Sequence, residues 1–308
     1  MSEEMNFDGR VAVITGAGAG LGRSHALAFA GRGAKVVVND LGGNSSGAGS
    51  DQSVAQNLVD EIKASGGEAV ANTDSVEDGD KIIACAMDTY GRIDVLINNA
   101  GILRDTTFHK MSDDDWNLVQ RVHLGGTYSV TRAAWPHMRD AGYGRVIMTT
   151  SAAGIYGNFG QANYASAKLG IHGLAQALAL EGVNKNILVN TIAPVAASRL
   201  TEQVMPPAML EVLNPSVVSP LAVLLAHEGH TETGNLYEVG GGWVSRIRLE
   251  QSQGARFDPK AGFSAEQLAA NWGAVNAFEN AMHPSDVSNT LKVISEIVGV
   301  DLGLAAQS

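Results

Sequence analysis

Short runs of consecutive apolar and β-branched residues recur along the chain, and stretches with helical periodicity separate them. Arg10–Ile14 (RVAVI) is the first such run and predicts a strand buried on both faces. It leads through TGAGAGLG into a helical pattern, RSHALAFAGRG. Lys35–Asn39 (KVVVN) predicts a second strand, which ends at Asp40. A glycine- and serine-rich loop, Leu41–Asp51, then precedes an amphipathic helix around Val54–Ala64. A third strand, Glu68–Asn72, leads to Asp74-Ser75 and the helical run KIIACAMDTY. The fourth, Asp94–Ile97, ends at Asn98-Asn99-Ala100-Gly101, and a long helix is expected from about Asp113 to Arg139. Arg145–Thr150 and Ile187–Ile192 follow as strands, the latter ended by Pro194. A stretch containing Pro206, Pro207, Pro215 and Pro220 separates them from a last strand near Asn235–Val239, closed by Gly240-Gly241-Gly242.

Strands alternating with helices need crossover connections, so the pattern predicts an α/β fold: one doubly wound, mainly parallel sheet covered on both faces. Ligands on such sheets bind beyond the carboxyl ends of the strands. Every polar motif named above falls at such an end. The alternation covers residues 1–243. Residues 244–308 depart from it, with two helical segments (roughly Ser264–Asn276 and Asp286–Ile297) and a basic group, Arg246, Arg248, Arg256 and Lys260. The expectation there is a helical C-terminal extension packed on the core or on a second subunit.

Composition narrows the partners. The 308 residues are 45% apolar and 17% charged, as in a globular protein. A net charge of −11 disfavours non-specific binding to nucleic acid or anionic membrane. The single cysteine, Cys85, excludes an intrachain disulfide and reads as a small core residue. The acidic start MSEEMNFDGR lacks the basic and apolar regions of a secretory signal, and no window suggests a membrane span. A soluble cytoplasmic protein is the expectation.

Gly16, Gly20 and Gly22 lie in the turn from the first strand into the first helix. Glycine there lets backbone approach a diphosphate, while the helix N-terminus offers free N–H groups and a positive dipole end. Asp40 ends the second strand about twenty residues later, where a carboxylate accepts from both ribose hydroxyls of an adenosine and repels a 2′-phosphate. NAD is therefore favoured over NADP. Asp74, Ser75 and Val76 are placed to border the adenine, although Asp74 or Ser75 serves equally well as a helix cap. Asn98 and Asn99 either line the cofactor or pin neighbouring strands.

The stretch SAAGIYGNFGQANYASAK begins where the fifth strand ends and closes on a helix carrying Tyr164 and Lys168 at i and i+4, on one face. A hydroxyl (Ser151), a phenol and an ammonium together suit deprotonation of an alcohol. A free tyrosine has a pKa near 10, and lowering it by two or three units takes about 3–4 kcal/mol. Lys168 and a positively charged nicotinamide are the expected sources. Tyr164 is then the general base and Ser151 the group that positions the substrate oxygen.

Taken together, Thr15-Gly16-x-x-x-Gly20-x-Gly22, Asn98-Asn99-Ala100-Gly101, Ser151 and Tyr164-x-x-x-Lys168 resemble the short-chain dehydrogenase/reductase family over about Phe7 to Trp243. The segments VVVNDLGG, RVHLGGTY, GIYGNFGQAN, NTIAP and EVGGGW are similar to the branch of that family acting on (3R)-hydroxyacyl-CoA thioesters. The resemblance implies a Rossmann-type fold binding NAD through Thr15, Gly16, Gly20, Leu21, Gly22, Asp40, Asp74–Val76, Asn98–Gly101, Tyr164, Lys168, Pro194 and Ala196–Arg199. It implies substrate contacts from Ser151, Tyr156, Phe159 and Gln161, no metal, and a homodimer or homotetramer. For the CoA phosphates, Arg104, His109 and Lys110 flank one side of the expected cleft. The sequence contains no hydratase or sterol-carrier region, so a stand-alone dehydrogenase is expected. One position departs from the family: the helical asparagine that supports a proton-relay water is replaced by His123, which either takes over the relay or is structural. Rival readings are a hydroxysteroid or steroid-side-chain-CoA dehydrogenase, an NADPH-linked 3-oxoacyl carrier-protein reductase, and a silent NAD-binding subunit.

Overall fold

The computed structural model describes residues 4–196 and 206–300. The apolar runs form one eight-stranded sheet in the order β3-β2-β1-β4-β5-β6-β7-β8. Its strands are β1 (Val11–Thr15), β2 (Lys35–Asn39), β3 (Glu68–Asn72), β4 (Val95–Asn98), β5 (Gly144–Thr149), β6 (Ile187–Pro194), β7 (Leu236–Gly240) and β8 (Trp243–Ile247). From β3 to β7 every pairing is parallel. The chain steps outward in one direction from β1 through β2 and β3, and in the other from β4 onward. The carboxyl ends of β1 and β4 therefore flank the switch point, where doubly wound sheets bind ligands.

The two-residue period of each strand sorts its side chains onto two faces. Ala12 and Ile14 of β1 join Val36, Val38, Ile97 and Ile147 in one core with Phe29, Leu58, Ile62 and Leu225. Those partners come from α1 (Gly20–Ala30), α2 (Ser53–Ala64) and α9 (Ser219–Ala226). Val11 and Val13 face the other way, with Val37, Leu96, Val146 and Val189, against Ile82, Ile83, Val130, Met138 and Ile171. Here the covering helices are α3 (Gly79–Tyr90), α5 (Gly126–Ala141) and α7 (Ala162–Gly182). Each fully buried Ile, Leu or Val contributes about 1.5–3 kcal/mol, which is why these runs are apolar on both faces. At the opposite, amino end of the strands, buried Asp94 accepts from Val11 N, Arg10 and Arg92 and fixes β1 beside β4.

Four features depart from the sequence pattern. β6 runs on through Pro194, which pairs with Val239 rather than ending the strand at Ile192. The glycines after β7 form a hairpin turn: Gly241 (φ +56°) and Gly242 (φ +81°) both occupy the left-handed region that a two-residue turn requires, and β8 follows. The expected long helix is three pieces, α4 (Asp113–Gln120), a π-helical turn (Arg121–Gly125) and α5. Finally, Ala208–Ala226 is long and apolar enough by composition to match a membrane span. It folds as α8 (Pro207–Val212), a 3₁₀ turn (Pro215–Val217) and α9, and the apolarity of α9 is explained by burial of Leu221, Ala222, Val223, Leu225 and Ala226.

The chain divides into two compact units, Met1–Arg246 and Ile247–Ser308. The second contains α10 (Ala265–Ala270), α11 (Trp272–Val275) and α12 (Ser288–Val298). Ser264 starts α10 with a reciprocal capping box to Gln267. Within this unit Phe257 stacks on Phe263 at 4.3 Å, Arg256 pairs with Glu296, and Gln251 bridges Met282.

Candidate functional site

The turn after β1 is built so tightly that at Gly16 and Gly22 a side chain has no room. A Cβ on Gly16 (φ +61°) would lie 2.7 Å from Ala100 Cα, and one on Gly22 would lie 2.1 Å from the Gly16 carbonyl. Gly20 (φ +53°) begins α1 in a conformation glycine favours, with open space where a Cβ would stand. Thr15 and Asn99 clamp this turn to the end of β4. Thr15 Oγ1 accepts from Asn99 N (3.0 Å) and Ala100 N (3.1 Å), and Asn99 Nδ2 donates to the carbonyls of Thr15 and Gly16, both at 3.1 Å. Close-packed bare backbone at a helix N-terminus fits a diphosphate. Leu21, the second residue of α1, is half-buried and rests its side chain against the core.

Asp40 stands just beyond β2. Its Oδ2 accepts from Gly18 N and its Oδ1 from Gly42 N, both at 2.8 Å. Each oxygen keeps capacity for a further donor, so the carboxylate can shape the glycine turn and also hold a ribose. Asp74 is tied to Asn72, whose Nδ2 donates to Asp74 Oδ2 at 2.8 Å, while Asn39 Nδ2 donates to Asp74 O. Ser75 caps the 3₁₀ turn Val76–Asp78 by accepting from Glu77 N. Val76 packs against Gly126, where a Cβ would come within 2.5 Å of its methyl group. Asn98 donates to Thr131 Oγ1 at 2.9 Å, a tie to α5, while Asn99 performs the pinning of the glycine turn.

Ser151, Tyr164 and Lys168 converge beyond the carboxyl end of β5. Ser151 caps the short helix α6 (Ala152–Tyr156), accepting from Ala153 N at 3.2 Å, and its hydroxyl neighbours the Tyr164 phenol closely enough to favour the ionised form. Lys168 is 3% exposed, and its Nζ donates to Thr149 O at 2.8 Å. That ammonium lies 5.5 Å from the Tyr164 ring centroid. Burial pushes Lys168 down to about 7. The expected lowering of Tyr164 is not produced by these side chains. Burial raises the phenol, the Ser151 hydroxyl opposes that, and Asp105 raises it further. The physical reason is desolvation: the fold encloses the ring, and the charged phenolate loses its hydration there. Alcohol oxidation needs the phenolate, so its rate should climb as pH rises through the alkaline range, while the reverse reduction, which needs the phenol, should fall. Profiles of kcat/KM against pH in both directions measure this; a flat oxidative profile would remove Tyr164 as the titrating base.

His123 occupies the π-helical turn and is 2% exposed. Its ring meets the Tyr164 ring edge-to-face at 5.1 Å and 89°. Nε2 lies 2.7 Å from Ile102 O and 3.0 Å from Ile102 N, and Nδ1 is buried with no partner among the described residues. Burial and nearby Lys168 push its pKa down to about 3, so the imidazole is neutral. A Cβ on Gly101 would sit 2.2 Å from its Cε1, so that glycine is what admits the ring.

The remaining candidates are less concentrated. Gln161 donates to Asp105 Oδ2 at 2.7 Å, Tyr156 donates to Glu238 at 3.2 Å, and Phe159 projects into solvent, 87% exposed. Arg104 is engaged within the chain: its Nε donates to Ser46 O and its Nη1 pairs with Asp115. His109 and Lys110 lie exposed on a 3₁₀ turn, Phe108–Lys110. Pro194 ends β6 and Ala196 packs on the core, whereas Ala197, Ser198 and Arg199 lie outside the described residues. Two groups were not anticipated. Asn163, wholly buried, accepts from Tyr164 N at 2.8 Å and donates to Arg104 O at 3.0 Å. Its position beside Tyr164 was a visible signal. Thr149, which holds Lys168 through its carbonyl, left none, because any residue supplies one.

A bare glycine turn at the switch point, with an acidic residue beside it and a hydroxyl, a phenol and a buried ammonium two strands away, defines a dinucleotide-binding oxidoreductase of the α/β class. The chain belongs to the short chain dehydrogenase family, whose model matches residues 10–206. It is 54% identical over 290 residues to peroxisomal multifunctional enzyme A of Dictyostelium discoideum, covering 94% of this chain and 65% of that protein. It is 52% identical over 302 residues to peroxisomal multifunctional enzyme type 2 of Mus musculus, covering 97% and 41%. The chain thus spans about two thirds or less of these relatives' lengths. The structure of full-length peroxisomal multifunctional enzyme type 2 from Drosophila melanogaster superposes with a TM-score of 0.83 and 40% identity, over 96% of this chain and 50% of that one.

Proposed function

We propose that this chain oxidises (3R)-hydroxyacyl-CoA thioesters to 3-ketoacyl-CoA with NAD⁺, a dehydrogenation step of fatty-acid β-oxidation. The observation that carries the chemistry is the convergence of Ser151, Tyr164 and Lys168 beside the glycine turn. The substrate class rests on similarity to the multifunctional enzymes along nearly the whole chain. Bound along the carboxyl edge, NAD⁺ supplies the hydride acceptor. Thr15–Gly22 would hold its diphosphate, Asp40 its adenosine ribose, and Lys168 its nicotinamide ribose. Ser151 donates to the substrate oxygen and fixes its position. Tyr164 removes the hydroxyl proton in oxidation and returns it in reduction.

The deciding experiment is turnover of a panel of CoA thioesters, both 3-hydroxy epimers, with NAD⁺ and with NADP⁺, and estradiol alongside. Activity confined to the (3R) epimers with NAD⁺ supports the proposal; activity on estradiol alone would replace the substrate. Asp40→Ala should raise the NADP⁺/NAD⁺ ratio of kcat/KM by at least tenfold, since hydrogen bonds to a charged group contribute about 1.5–3 kcal/mol. An unchanged ratio would leave Asp40 only its bonds to Gly18 and Gly42.

A further inference from the structure

The loop after β2 has more order than its composition suggests. Its neck is closed by Asp51 N donating to Leu41 O at 3.2 Å, and Gly42 (φ +75°) lets the strands of the neck meet. A Cβ there would lie 2.1 Å from Asp51 O. At the tip, the Asn44 side-chain oxygen accepts from Ser46 N, Ser46 Oγ and Ala48 N, at 2.8–3.0 Å. Asn44 N and Gly47 N close two further turns. This is an Ω-loop: eleven residues, adjacent ends and an internally bonded tip.

The tip does not hang free. Ser45 O accepts from Leu103 N at 2.9 Å, Ser46 O accepts from Arg104 Nε at 2.7 Å, and Gly47 approaches Ile102. Residues 102–104 follow β4, whereas the loop springs from β2. Because β1 lies between β2 and β4, the loop must cross the carboxyl end of β1, over the edge where the glycine turn lies. Arg104 joins this crossing to two other elements. Its Nη1 pairs with Asp115 of α4 at 3.1 Å, and its carbonyl accepts from Asn163, the residue that holds Tyr164 N.

We propose that Leu41–Asp51 is a strap closing over the dinucleotide and that Arg104 is the positioning residue that latches it, so that release of the cofactor requires the Ser45–Leu103 and Ser46–Arg104 contacts to break. The inference rests on the dinucleotide reading above. It concerns the rate of cofactor exchange and assigns Arg104 no role in the chemical step.

The test is the dissociation rate of NADH from the full chain, followed by stopped-flow fluorescence, in wild type, Arg104→Met, Asn44→Ala and Asp115→Asn. Arg104→Met should speed release about tenfold, the scale of one or two lost hydrogen bonds. Asn44→Ala, which loosens the exposed tip without touching Arg104, should speed it several-fold. Asp115→Asn, which weakens the pairing of Arg104 to α4 and the neighbouring Ser112 Oγ bond but no contact of the strap, should leave it unchanged. The melting temperature of the cofactor-free protein and the single-turnover rate of hydride transfer should stay at wild-type values. Unchanged release in both strap variants would overturn the proposal, as would equal acceleration by Asp115→Asn. Should Arg104→Met fail to fold, Asn44→Ala decides. A wild type that binds no NADH would instead sink the dinucleotide reading itself.

Discussion

Replacing Tyr164 with phenylalanine should lower turnover by about three orders of magnitude or more while leaving the fold and NADH binding intact. The variant removes one oxygen. The edge-to-face contact with His123 is made by the ring and survives, as does packing of α7 against the sheet. The loss is the hydroxyl beside Ser151 and, with it, the only proton acceptor among these side chains suited to the task. Ser151 is itself a weak base, Lys168 donates to Thr149 O, and His123 is sealed in a neutral state. Stability should change by no more than about 1 kcal/mol, the net worth of one hydrogen bond. Paired measurements of kcat and of NADH affinity by fluorescence titration check both halves. Turnover within tenfold of wild type would require another base.

Gly22→Ala should damage the cofactor site out of proportion to the single methyl group it adds. Its Cβ would stand 2.1 Å from Gly16 O, 2.7 Å from Asn99 Nδ2 and 2.8 Å from Ala17 Cα. None of these can yield cheaply: two are backbone, and Asn99 is held by its bonds to Thr15 O and Gly16 O. The turn must open, at a cost of about 1–3 kcal/mol in stability, and the diphosphate cradle opens with it. NADH affinity should fall by a factor of about a hundred or more, the scale of two or three charge-assisted hydrogen bonds. Gly173→Ala in α7 is the matched control. No atom lies within 4 Å of its added carbon, and it should be neutral or stabilising by up to about 1 kcal/mol. Thermal denaturation and NADH titration of the two variants side by side separate a local clash from a general intolerance of alanine.

Where the chain alternates between buried strand and amphipathic helix, its sequence was enough. β2 and β3 run as expected, and β1, β4 and β5 differ by a residue, because Val, Ile and Leu buried on both faces have no other stable arrangement. The glycine turn, Asp40 and Ser151 were readable because each sits at a strand end, and Tyr164 and Lys168 because their i, i+4 spacing puts them on one face of α7. What escaped depends on backbone groups, which every residue carries. The carbonyl of Thr149 accepts a hydrogen bond from Lys168, the N–H groups of Gly18 and Gly42 occupy Asp40, and the carbonyls of Ser45 and Ser46 anchor a loop that composition marked only as a loop. The elevated phenol of Tyr164 escaped for a related reason. Neighbouring charges can be guessed from the i, i+4 spacing, but desolvation depends on what the rest of the fold packs around the ring.

The π-helical turn at Arg121–Gly125 has a consequence for how this helix can change in length. An i→i+5 turn holds one residue more than an α turn, so α4 and α5 are a single cylinder with one supernumerary residue between them. Elsewhere in a helix, deleting a residue rotates everything beyond it by about 100° and turns its buried face outward. Here the same deletion would absorb the excess. Val119 on one side and Val130, Ala134 and Met138 on the other would keep their faces, while the imidazole would be withdrawn from Tyr164 and Ile102. The helix thus carries a built-in tolerance for being one residue shorter, at the one place where shortening would empty the space beside the phenol.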